Sequence, residues 1–576
     1  MIHEPISVWK HGNIVHNQRP TEDAMAESSP DEEAVYIGDI ITMDAAAPAA
    51  EALVTRGAWI TFVGGRDAAL TRASPHATIV ELTGEQALLP GFIDGHGHIG
   101  LVVLFERSVD LTPKPVGSIS SIGDLQAALG AAISEGPPEN SWLIGSNYDD
   151  ALMNEHRHPT RDDLDAVTTE CPVTVVHASG HLAVCNSAAL ATCGISASTP
   201  NPEGGVIRRR PESDEPNGVL EEHAWMELAA PFLPRPIPRE GIADLGAAQQ
   251  KYAAQGFTTV QEGFTDSAAM QLLATANEMG KLFVDVVAYP SWTEANQLLT
   301  GKTASTTYDG RMRIGGVKIV LDGSPQGKTA WLSSPYRTPP EGKGTDYAGY
   351  PAMDDATATE RVTHFHKLGW PVFAHTNGDA ACEQFIRAAA AARGDARGGD
   401  PREFVMIHAQ MVREDQLDEM ARLGIMPTFF VTHTYYWGDW HRDNVLGPER
   451  AARISPLASA RRRKIRFSLH NDSPVAPIRS MVLIWSAVNR LTLSGKVLGP
   501  EQRVPVEAAL QAVTIDAAYQ YGEEGTKGSL RAGKLADLVI LNRNPLKVDA
   551  MELRDIEIIR TVSHGIPIYE RPQPLS

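Results

Sequence analysis

His96 and His98 stand two residues apart in the stretch LLPGFIDGHGHIGL, Leu88 to Leu101. On a β-strand, side chains at i and i+2 leave by the same face, so both imidazoles would project together beyond the apolar run Leu88, Leu89, Phe92, Ile93. Two histidines on one face are half of a metal site. Other apolar runs supply the remaining donors: Lys318 in RIGGVKIVLDG, His375 in WPVFAHTNGD, His408 in EFVMIHAQ and Asp472 in KIRFSLHNDSPV. Four imidazoles and a carboxylate at the ends of buried strands would bind a divalent cation and activate water, with Lys318 lying within a strand of the same set.

These donors need a scaffold that brings strand ends together. From Glu240 onward, helix-like segments alternate with apolar runs: GFTTVQE, LFVDVVAY, the four runs just named, and GIMPTFF between His408 and Asp472. With the opening stretch there are eight runs, which predicts an α/β fold, a (β/α)8 TIM barrel over residues 88–525. Functional groups of such a barrel gather at the carboxyl ends of its strands. An insertion after the first barrel strand, about 101–239, is rich in Pro and Gly. Short strands at 34–87 and 526–576 have no barrel position and are expected to form one small β-sandwich from both chain termini. Residues 1–33, acidic and polar, read as a mobile leader.

Composition excludes several classes. A net charge of −20 over 576 residues argues against nucleic acid or an anionic membrane surface as partner. No apolar run reaches the roughly 20 residues of a membrane span. The N-terminus lacks a basic start followed by an apolar core, so no secretory signal is expected. The four cysteines have no CxxC spacing and fit reduced thiols in a cytoplasm. A small-molecule substrate is the expected partner.

The motifs PGFIDGHGH, GGVKIVLDG, NDSPV and GSLRAGKLADLVIL together resemble the amidohydrolase superfamily. DGSPQGKTAWLSSPY and GHLAVCNSAAL narrow the resemblance to its amidohydrolase-3 (YtcJ-like) group, which includes N-substituted formamide deformylases. It spans about residue 35 to the C-terminus. It implies a metal-dependent hydrolase acting on C–N bonds other than peptide bonds, and a homodimer by family habit. Two divalent ions, zinc expected, would be held by His96, His98 and Asp472 on one side and by His375 and His408 on the other. A carbamate on Lys318, formed from CO2, would bridge them. A metal-bridging hydroxide would attack an amide or formamide-like group, with Asp472 as general base.

A lysine must be neutral to take up CO2, and burial lowers its pKa from about 10.4. The alternative for Lys318 is a buried ion pair with Asp322. His181, in GHLAVCNSAAL, matches a family histidine that acts on the substrate; its alternative is a loop histidine held by Asn186. Tyr435, Tyr436 and Trp437, in THTYYWGDW, would line an apolar pocket or pack against the insertion. The sequence departs from the family pattern at Gly95, Ile407 and Asn471, where serine, glutamate and serine are usual. Two other functions compete: a mononuclear deaminase or cyclic-amide hydrolase with a plain Lys318, and a non-catalytic binding or regulatory barrel.

Overall fold

The structure is a computed structural model that describes residues 32–136, 142–234, 238–394 and 399–572. The predicted leader lies outside the described residues except for its last two.

The chain begins with five short strands, β1 (Glu33–Ile41), β2 (Ala49–Arg56), β3 (Trp59–Gly64), β4 (Thr78–Glu81) and β5 (Ala87–Pro90). Next comes β6 (Phe92–Ile93), followed by six strands within 109–222: β7 (Val109–Asp110), β8 (Leu143–Tyr148), β9 (Val173–His177), β10 (Leu182–Cys185), β11 (Gly205–Arg209) and β12 (Pro216–Glu222). These six form a sheet of their own, in the order β11-β12-β10-β9-β8-β7.

Eight further strands follow: β13 (Phe257–Thr265), β14 (Asp285–Pro290), β15 (Met312–Ile314), β16 (Val317–Val320), β17 (Val372–Thr376), β18 (Phe404–His408), β19 (Met426–Phe429) and β20 (Ser468–Leu469). The chain closes with β21 (Leu538–Leu541), β22 (Ile558–Ser563) and β23 (Ile566–Glu570).

Every run read as a barrel strand contains a strand, and the strands pair in parallel in chain order. One sheet runs β6-β13-β14-β15 and the other β16-β17-β18-β19-β20. The fourth expected strand is split between them at Gly315-Gly316. A Cβ on Gly315 would lie 2.5 Å from Val287 Cγ1, and one on Gly316 2.4 Å from the Pro371 carbonyl. The break is therefore a place where backbone approaches its neighbours too closely for any side chain.

The two sheets meet at both margins. Ser291 bridges to Lys318 in parallel, and Trp292 N–H donates to the Lys318 carbonyl (2.9 Å). At the other margin His98 N–H donates to the Ser473 carbonyl (2.8 Å) and Asp472 N–H to that of His96 (3.2 Å). The ends of the first and eighth strands thus lie side by side. Helices cover the strands, as parallel sheets require. The helices Asp379–Arg393 and Glu414–Leu423 each end on a left-handed glycine, Gly394 and Gly424.

Both chain ends share one sheet. Its order is β23-β22-β21-β5-β1-β2-β3, with β4 on β1, and β5 pairs antiparallel with β21 in the register Leu89–Val539. Among the described residues no helix is long and apolar enough to cross a membrane.

Candidate metal and active site

His96 and His98 follow β6, Lys318 lies within β16, and His375 lies within β17. His408 ends β18, and Asp472 follows β20 by three residues. His408 and Asp472 both sit at positive φ, 69° and 54°. Such positions cost about 1–3 kcal/mol each and cluster where a side chain must be aimed.

The six side chains converge. Asp472 Oδ1 lies 3.3 Å from His96 Nε2 and 3.2 Å from His98 Nε2, and Asp472 Oδ2 lies 3.9 Å from His408 Nε2. The Lys318 ammonium donates to His96 Nε2 (3.0 Å). The rings of His375 and His408 are 4.5 Å apart.

A second layer holds these groups, and it supplies residues that sequence reasoning had not picked out. His96 Nδ1–H donates to Gln261 Oε1, whose amide nitrogen donates to Tyr521 Oη (2.8 Å). His408 Nδ1 pairs with His470 Nε2 (3.0 Å), and His470 Nδ1 with Thr428 Oγ1 (2.9 Å). With Nδ1–H committed outward to Gln261, the Nε2 lone pair of His96 faces inward, as a metal-bound histidine requires. His470 stands two residues before Asp472, so the i, i+2 rule that paired His96 with His98 could have found it. Glu262, within β13, is buried beside His98 and accepts from Gly100 N–H.

Burial sets the charge states. It drives the His96, His375 and His408 rings far below their usual pKa, and their cationic neighbours add to the effect, so all three are neutral. Burial also pushes the Lys318 amine down to about 7, against the pull of Asp472 and Glu262. For Asp472, burial acts the other way, but the close approach of His98, with the charges of His470 and Lys318, holds the carboxyl well below its usual range. Asp322 is not the partner of Lys318. It accepts N–H bonds from Trp331, Asn377 and Gly378 and lies 3.2 Å from His375 Nδ1.

These residues fit a divalent cation. Nε2 of His408 and Oδ1 of Asp472 are buried without hydrogen-bond partners among the described residues. The ligand atoms of His96, His98 and Asp472 lie within 4.8 Å of one another. Neutral imidazoles and an ionised carboxylate are the protonation states that metal binding needs. Two other groups have similar spacing, but protein donors or a cation already occupy most of their ligand atoms. In one, Ala151 N–H (2.9 Å) and Trp437 Nε1–H (2.6 Å) occupy Asp149, and His177 occupies Asp150 (3.2 Å). In the other, the Lys527 ammonium lies 2.6 Å from Asp285.

The site opens into a cavity of about 510 Å3 lined by His98, His181, Lys318, His375, His408 and Asp472 at its floor. Its apolar walls come from Leu101, Leu104, Phe105, Trp225, Phe264 and Trp292. His181 reaches it from the insertion, its ring 4.6 Å from that of His375. Its Nδ1–H donates to Glu222 Oε2 (2.6 Å). Burial would lower the His181 pKa, but Glu222 raises it. Asn186 instead caps its own helix by accepting from Ala189 N–H (2.9 Å). Tyr435, Tyr436 and Trp437 are not among the described residues that line the cavity. Tyr436 and Trp437 pack with Ala151, Phe430 and Ala476, against the insertion.

Comparison with known proteins adds three findings. Residues 79–569 match the model of the Amidohydrolase family. The N-substituted formamide deformylase of Arthrobacter pascens is 27% identical over 92% of this chain and 97% of its own, and the putative amidohydrolase YtcJ of Bacillus subtilis (strain 168) 28% over 86% and 92%. A metal-dependent hydrolase from Pyrococcus horikoshii OT3 superposes with a TM-score of 0.71 at 24% identity, covering 90% of this chain and 99% of that one. That likeness gives the chain a TIM-barrel-type α/β fold.

Proposed function

The chain belongs to the Amidohydrolase family, and on that premise we propose that it is a metal-dependent hydrolase cleaving the C–N bond of an amide or formamide-like group on an apolar substituent. The observation that carries this is the inward-facing donor set: neutral imidazoles, an ionised Asp472, and buried donor atoms without partners among the described residues. The accompanying architecture is a closed (β/α)8 barrel over 88–525, with the terminal sheet folded as a sandwich.

His96, His98 and Asp472 would hold one divalent ion, His375 and His408 a second, and Lys318 as a carbamate would join them. When bound, such ions, zinc being expected, lower the pKa of water and draw charge from a substrate carbonyl.

The chain's own groups do the rest. Asp472, ionised at neutral pH, takes a proton from the attacking water and returns it to the leaving nitrogen. His181, on the cavity wall, hydrogen-bonds the carbonyl oxygen and steadies the charge that grows on it. The apolar walls hold the substituent and exclude bulk water. The four cysteines, unpaired, suit the cytoplasmic setting that we assign to this reaction.

The test is release of amine from a panel of aryl and branched-alkyl formamides and amides, with metal content measured on the same protein. We expect turnover that a chelator abolishes and that zinc with bicarbonate restores. No turnover across the panel by fully metallated protein would overturn the proposal.

The wall also makes a prediction about size. Leu104→Trp fills part of the cavity, so kcat/KM for aryl-substituted amides should fall about tenfold or more while the smallest formamides change little. An equal loss on both would mean that the substituent does not sit against Leu104.

A further inference from the structure

Glu222 is an expensive residue for this fold in three ways. Its backbone, at φ 52° and ψ −124°, has the conformation of the first central residue in a type II′ turn, where glycine is the usual occupant. Its carboxylate is buried, and Oε1 has no hydrogen-bond partner among the described residues. Space is reserved for it as well: a Cβ on Gly323 would lie 2.0 Å from Glu222 Oε1. A sequence chosen for stability alone would put glycine at 222 and leave no charge there.

Among the described residues, one contact explains the carboxylate. Glu222 Oε2 accepts from His181 Nδ1–H at 2.6 Å, and the Glu222 N–H donates to the His181 carbonyl at 2.7 Å. The residue grips the histidine at ring and backbone together. With Nδ1 engaged, Nε2 is the ring atom left for the cavity, and the ring is held beside His375, 4.6 Å away.

We propose that Glu222 is a positioning residue: its strained, buried carboxylate fixes the orientation of His181 over the reaction centre, with Gly323 as the space it requires. This rests on the role given to His181 above.

The variants Glu222→Gly, His181→Ala and the double mutant separate the possibilities. In E222G we expect kcat to fall about tenfold or more with KM within about twofold. Metal content should be unchanged, and the melting temperature no lower than that of the parent, because glycine accepts the backbone and the buried charge is gone. The double mutant should be no slower than H181A. Parental kcat in E222G overturns the proposal. So does a lowered melting temperature with KM and kcat lost together, which marks a structural residue, and so does a multiplicative loss in the double mutant.

H181A with unchanged kcat/KM would instead refute the role of His181. In that case, or if no amide is turned over, the crystal structure of E222G decides. A His181 ring displaced from His375 supports the proposal, and one still at the same spacing overturns it.

Discussion

Asp472→Asn is expected to lower kcat by roughly a thousandfold or more while part of the metal stays bound. The substitution keeps the size of the side chain and removes its charge. The carboxylate is in contact with His96 and His98 at 3.3 and 3.2 Å and is ionised across the neutral range, so in the proposed mechanism it would be at once a ligand and the group that carries the proton. The amide of asparagine can still offer an oxygen to an ion but has no basicity. The loss should therefore persist at every pH where the fold survives, since no titration restores a base that is absent. Stopped assays with metal analysis on the same sample check this. Turnover near the parental level in a metallated D472N protein would remove Asp472 from the proton path.

The second large effect concerns Lys318. Parent protein prepared with zinc and bicarbonate should hold about two ions per chain, and Lys318→Ala about one or fewer, with turnover lost accordingly. The proposed carbamate would form when the neutral amine bonds to the carbon of CO2 and loses a proton. Its yield therefore follows the fraction of neutral amine.

With burial holding that amine at about 7, the sign is fixed. Lowering pH protonates Lys318 and slows carbamate formation; raising pH frees the amine. At fixed dissolved CO2, the reactivation rate of metal-stripped protein should rise about tenfold from pH 6 to pH 8, where the neutral fraction goes from about 9% to about 91%. An unmodified surface lysine, with a pKa near 10.4, would still be climbing well above pH 8. One ion per chain, unchanged in K318A, would point to a mononuclear enzyme and to deaminase or cyclic-amide substrates.

What could be read from the sequence was whatever short range dictates. The same-face pair His96 and His98 and the apolar runs ending in His375 and His408 are patterns of a few residues, and strand geometry alone interprets them. The break at Gly315-Gly316, by contrast, is set by Val287 on β14 and the Pro371 carbonyl just before β17. The grouping of strand ends followed from the alternation of helix and strand. The residues around the donors depend instead on distant pairings: Gln261 and Tyr521 meet across 260 positions, and His181 and Glu222 across 41. No local signal marks Glu222, because its backbone is one that propensity assigns to glycine. The THTYYWGDW segment misleads for a related reason. Aromatic composition says that the side chains will be covered, but not whether substrate or protein covers them; here the insertion packs on Tyr436 and Trp437.

The shared sheet of the two chain ends has a bearing on biosynthesis. β5 leaves the ribosome early, yet the strand that covers its open edge, β21, is translated roughly 450 residues later. At about 5–20 residues per second, that edge waits roughly 20–90 s for its partner. Throughout that interval the nascent chain presents Ala87–Pro90, an apolar strand with unused hydrogen-bonding groups, to whatever surrounds it. Synthesis of β21 is thus also the moment at which that open edge can be covered. A premature stop anywhere before Leu538 would release a polypeptide with that edge permanently open, a natural target for chaperones and proteases.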